Sequence, residues 1–153
     1  NNQQRKLLET ISSRCLETNI FLDTNRRNEI INYLIDDRKI EILIDSSHNV
    51  SPGHFLKFNE IYLKYKINQN DNILIKLNIL INAYKKEKDK LLISLVYFLI
   101  NHSFLHKIKN NLNKLDFLLN RKSSIIKIIN DFVLFNLNIN SVMNLIRIKL
   151  KNV

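Results

Sequence analysis

The 153-residue chain holds one glycine, Gly53, beside one proline, Pro52. Tight β-hairpins draw on glycine for positive backbone φ, and so do the loops that cradle phosphates. A chain with a single glycine can build almost none of either. A nucleotide-hydrolysing P-loop and a Rossmann fingerprint are both excluded. The expected fold class is all-α. Alanine is reduced to Ala83, tryptophan is absent, and Asn, Ile, Leu and Lys together supply more than half of the residues. That bias is what AT-rich coding produces, so the asparagines are not taken as a binding signature.

Helical periodicity then places the elements. Ile73, Leu74, Leu77, Leu80, Ile81 and Tyr84 form one apolar stripe at i, i+1, i+4, i+7, i+8 and i+11. Asn70 or Asp71 can cap its start, and Lys85 and Lys86 suit its C-terminal dipole. Val50-Ser51-Pro52 is a start signal: Ser51 caps, Pro52 needs no N–H, and Val50 can staple onto Phe55. Phe55, Phe58, Tyr62 and Tyr65 give that helix an aromatic face.

Asp89 opens a helix that is apolar from Leu91 to Ile100. Ser103 and Ser123 are expected to cap two more, and a last helix follows Asn140 or Ser141. Upstream, helices are expected over about 3–17 and 24–36, with a short one over about 37–45. Ile40-Glu41-Ile42 is the alternative candidate for a strand. The expected total is eight or nine helices in one domain, or in one segment of a repeat array. Helical hairpins near 51–86, 89–120 and 123–152 would stack as an α-solenoid, the alternative being an irregular helical bundle.

Val50-Ser51-Pro52, Leu56, Ile61-Tyr62, Lys64, Asn68, Asp71, Leu74 and Leu77 occur in the order of a capped helix, a short Asn/Asp turn and a Leu-rich second helix. That unit resembles the heptatricopeptide-type repeats of organellar RAP-domain proteins. The small residues that let paired helices approach closely are missing apart from Ala83, and no RAP domain is seen. The resemblance implies an α-solenoid associated with mitochondrial or plastid RNA, organellar ribosomes included.

Lys and Arg outnumber Asp and Glu by 24 to 14, giving a net charge of +10. Such a chain is drawn to polyanions. The lone Cys15 rules out an internal disulfide framework and fits a reducing, intracellular compartment. The longest apolar run, Leu91 to Ile100, is about half of what a bilayer requires, so no membrane insertion is expected. The first residue is Asn1 rather than Met, which suggests a processed or trimmed chain.

No catalytic constellation stands out, and neither a cofactor, a metal nor a small-molecule substrate is evident. His102 and His106 have the i, i+4 spacing of zinc ligands but lack a third ligand, and Ser103 suggests a helix break between them. His48 and His54 read as loop and first-turn residues, Asp36-Asp37 as a solvated pair at a helix start, and Cys15 as a core residue. What remains is basic. Lys85, Lys86, Lys88 and Lys90, with Arg121 and Lys122, are expected to close successive hairpins along one rim. A rim of that kind can follow a phosphate backbone without reading bases. The function expected is that of a non-enzymatic structural component of a ribonucleoprotein assembly such as an organellar ribosome, contacting RNA and other proteins. A helical scaffold or adaptor that binds protein partners is the alternative.

Overall fold

The computed structural model describes residues 23–44 and 50–151. Every regular element among them is helical: α1 Thr24–Arg38, α2 Pro52–Lys64, α3 Ile73–Glu87, α4 Lys90–Asn110, α5 Leu115–Phe135 and α6 Ile139–Lys151, with a 3-10 turn at Leu112–Lys114. The helix expected over 3–17, Cys15 and His48 lie outside the described residues.

Four of these helices close a ring. Short turns at Lys88-Asp89, Asn111–Lys114 and Asn136–Asn138 join α3, α4, α5 and α6 into successive neighbours, and α6 returns to pack on α3. In a stacked array the last helix would meet only its own neighbours. Six helices are present among the described residues, arranged as a four-helix ring with two helices outside it. The core runs through the ring: Leu77, Leu80, Ile81, Leu95, Val96, Ile125, Ile129, Val142 and Ile146 are fully buried. Each such side chain contributes about 1.5–3 kcal/mol of burial. Tyr84 and Phe132 meet edge to face, with ring centroids 6.0 Å apart.

The expected break at Ser103 does not occur. Ile100, Phe104 and Ile108 continue one apolar row across it, and α4 runs unbroken to Asn110. The Ser123 break also fails. Leu118, Ile125, Ile129 and Phe132 form a single buried stripe, and Ser124 Oγ donates to Asn120 O at 2.8 Å, a bond that accommodates serine within a helix. The chain turns instead at Asn111–Lys114. Helix α4 is long and apolar enough to cross a bilayer by length and composition. In this fold its residues Leu92, Leu95, Val96, Leu99, Ile100 and Phe104 are buried, with α3 and α5 packed on it.

Caps set the other boundaries. Ser51 Oγ accepts from His54 N, Asn72 rather than Asn70 or Asp71 caps α3 through Leu74 N, and Asp89 caps α4 through Leu91 N at 2.9 Å. Asp36-Asp37 fall in the last turn of α1, not at a helix start. At the other ends the glycine shortage shows. Lys39, Lys66, Lys88 and Asn136 take left-handed φ of 50°, 52°, 56° and 50°. Such a conformation costs a residue with a Cβ about 1–2 kcal/mol. Gly53 sits in the first turn of α2, where its freedom is unused.

The segment 40–44 is neither the short helix nor a paired strand; it lies as an irregular strap over α2. Asn59, buried to 1 %, holds it: Oδ1 accepts from Leu43 N at 2.6 Å and Ile44 N at 3.2 Å, while Nδ2 donates to Phe55 O at 2.8 Å. Helix α2 touches the ring through side chains of α3 and α4. Phe58 meets Phe98 of α4 at 5.5 Å, and the last turn of α2 reaches α3 through Tyr62, near Lys76, and Lys64, bonded to Glu87.

Candidate nucleic-acid interface

The α3–α4 corner gathers Lys85, Lys86, Lys88 and Lys90 within six residues. Two come from the last turn of α3, one from its left-handed cap, and one opens α4. Lys86, Lys88 and Lys90 are exposed and Lys85 is half-buried. The corner also carries two acids, and both are engaged. Glu87 accepts from Lys64 Nζ at 2.8 Å and from the Tyr65 hydroxyl at 2.5 Å. The Lys64 hydrogen bond, then that of Tyr65, holds the Glu87 carboxyl below its ordinary value and raises Lys64 in turn. Asp89 faces the amide of Leu91 as an N-cap. Lys85, Lys86 and Lys90 make no ion pair among the described residues.

Lys88 is fixed more firmly. Its ammonium donates to Asn136 Oδ1 at 3.1 Å and lies 5.4 Å from the Tyr84 ring centre. The bond to Asn136 ties the α3–α4 corner to the α5–α6 turn, so these lysines stand at the end of the bundle where both turns emerge. Leu134 and Phe135, 73 % and 70 % exposed, lie at the same end.

Arg121 and Lys122 do not join this rim. They lie inside α5, about 20 Å along the helix axis from Phe135 and the Lys88 corner. The physical cause is the unbroken α5: residues expected at a turn sit on a helix flank. Arg121 packs over the Phe117 ring at 4.9 Å. Lys122 borders a groove.

That groove, with a volume of about 600 Å³, opens between α2, α4 and α5. Val50, Phe58, Phe98 and Leu105 supply its apolar lining, and Ser51, His54, Ser94, Tyr97, Asn101, His102 and Lys122 its polar groups. Ring contacts run continuously along it, His54–Phe58 at 6.0 Å, Phe58–Phe98 at 5.5 Å and Phe98–His102 at 6.1 Å. The Tyr97 hydroxyl donates to Asn130 Oδ1, and burial holds this phenol above its usual 10.0. His54 and His102 are 48 residues apart in sequence, so no local spacing could have paired them. His106 lies outside the lining, and no group of three or more His, Cys, Asp or Glu able to hold a metal occurs among the described residues.

Compared with known proteins, the chain matches no family model, no curated protein and no solved structure.

Proposed function

We propose that this protein is a non-enzymatic, RNA-contacting structural component of a ribonucleoprotein assembly, for which the heptatricopeptide-type resemblance suggests an organellar ribosome. The observation that supports it most is the α3–α4 corner, where three exposed lysines project beside acids already committed to Lys64, Tyr65 and a helix cap. Cations without an internal counter-ion are the groups that release counterions from a phosphate backbone. They carry no base-reading geometry, so binding would position the protein on RNA rather than select a sequence. The proposal does not need stacked repeat turns, since the corner is complete within α3 and α4. Sedimentation of the native particle tests it. Ribonuclease treatment is expected to release the protein from a fast-sedimenting assembly, and continued co-sedimentation after complete RNA digestion would overturn the proposal.

The adaptor function has its own support in Leu134 and Phe135, exposed side by side at the same end. Apolar surface of this kind suits a protein partner. If it operates, Leu134→Ser with Phe135→Ser releases the protein from its assembly while leaving affinity for free RNA unchanged.

A further inference from the structure

The aromatic groove has features that neither the lysine corner nor the bundle core requires. Its walls come from three helices, and its volume falls within the range that encloses a small ligand. Tyr97 and Phe98 are half-buried and line the groove, aromatic side chains of the kind a planar group packs against. Around them stand one ammonium (Lys122), two imidazoles (His54 and His102), two serine hydroxyls (Ser51 and Ser94) and an amide (Asn101). No carboxylate is among the lining residues. The two imidazoles are oriented by neighbours: Ser51 Oγ stands 2.9 Å from His54 Nδ1, and His102 stacks on Phe98 at 22°.

We propose that this groove binds one nucleotide unit, its base seated against Phe98 and Tyr97 and its phosphate at Lys122, His54 and His102. Planar aromatic walls suit any base, because every base has a π-face. The amide of Asn101 offers both donors and an acceptor to a base edge. A phosphate monoester offers an ammonium and two imidazoles three terminal oxygens and a charge of about −1.5 to −2, more than the two oxygens and single charge of a carboxylate. The nucleotide can be free in solution or the end of an RNA strand. The site stands independently of the lysine corner.

The test is a titration of the full chain with AMP, followed through the imidazole C–H resonances of its histidines by NMR. The His54 and His102 signals are expected to move on one saturation curve while His106 stays still. Adenosine and inorganic phosphate should each bind at least about tenfold more weakly than AMP, because each engages only half of the site. Lys122→Glu should weaken AMP at least about tenfold without altering the circular dichroism spectrum. His102→Ala, at an exposed position, is the second variant and should also weaken AMP.

The proposal is overturned if inorganic phosphate binds as tightly as AMP, if His106 shifts with the others, or if AMP moves neither His54 nor His102 at millimolar concentration. A short 5′-phosphorylated oligoribonucleotide distinguishes the sources. If it moves the same resonances, the ligand is a strand end; if only AMP does, the ligand is a free nucleotide. Charge reversal at Lys86, Lys88 and Lys90 should weaken RNA binding and leave AMP binding unchanged, so an unchanged RNA affinity alone counts against the RNA function and a loss of AMP affinity alone against the groove.

Discussion

Asn59 offers a test of how the strap is held. Its side chain is 1 % exposed and makes three hydrogen bonds: two accepted from the amides of Leu43 and Ile44, and one donated to Phe55 O. Replacing it by leucine keeps a side chain of similar size and removes all three. A typical intramolecular hydrogen bond is worth about 1 kcal/mol net, and a buried amide left without a partner costs about 1–3 kcal/mol. Leucine recovers part of this through apolar burial. The expected loss is therefore about 2–4 kcal/mol. With a urea m-value of about 2 kcal/mol/M for a chain of this size, the unfolding midpoint should fall by about 1–2 M. Asn78, exposed on α3, is the control, and Asn78→Ala should stay within about 0.5 kcal/mol of the parent. Amide hydrogen exchange separates local from global loss. If the strap detaches alone, Leu43 and Ile44 exchange faster while the midpoint moves less. An Asn59→Leu protein with an unchanged midpoint and unchanged protection at both amides would refute the reasoning.

Asp89 caps α4 and also stands between Lys88 and Lys90 in sequence, so two substitutions separate its roles. Asp89→Ala should cost about 1 kcal/mol in thermal unfolding, whereas Asp89→Ser keeps the cap; both remove a negative charge and should raise RNA affinity about 2–5-fold at low salt. Gly53 has no atom within 4 Å of where a Cβ would stand, so Gly53→Ala should stabilise the protein by about 0.5–1 kcal/mol in a thermal melt. Glu87 has its pKa lowered from 4.5 by Lys64 and Tyr65, so its contribution is present above pH 4.5 and is lost as the pH falls through the lowered value. Glu87→Gln should flatten that part of the stability profile in acid titrations, leaving neutral pH as the place where parent and variant differ most.

What could be read from the residues was local. The glycine shortage pointed to helices, Ser51 and Asp89 marked two starts, and the lysines at 85–90 sat close enough in sequence to be seen as one group. Ser103 and Ser123 misled because a capping residue in mid-helix looks the same as one at an end, and the continuous apolar rows through Phe104 and Ile125 outweigh it. Shifting those two boundaries moved Arg121 and Lys122 from a turn to a helix flank. Asn59 was hidden among many asparagines, since only burial distinguishes it. The left-handed Lys39, Lys66 and Lys88 carry no sequence mark either, because lysine is not the residue expected there. The groove joins His54, His102 and Lys122 from three helices, and ring closure packs α6, the last helix, on α3; both are tertiary facts without a periodic signature.

The most direct measurement is RNA affinity against salt concentration for the parent chain and for the triple variant Lys86→Glu, Lys88→Glu, Lys90→Glu. If the exposed lysines of the α3–α4 corner neutralise phosphates, the variant binds more weakly and the slope of log affinity against log salt shrinks by about 2, roughly 0.7 for each single-stranded phosphate that goes unneutralised. Equal affinities and parallel salt dependences for the two proteins would contradict the account.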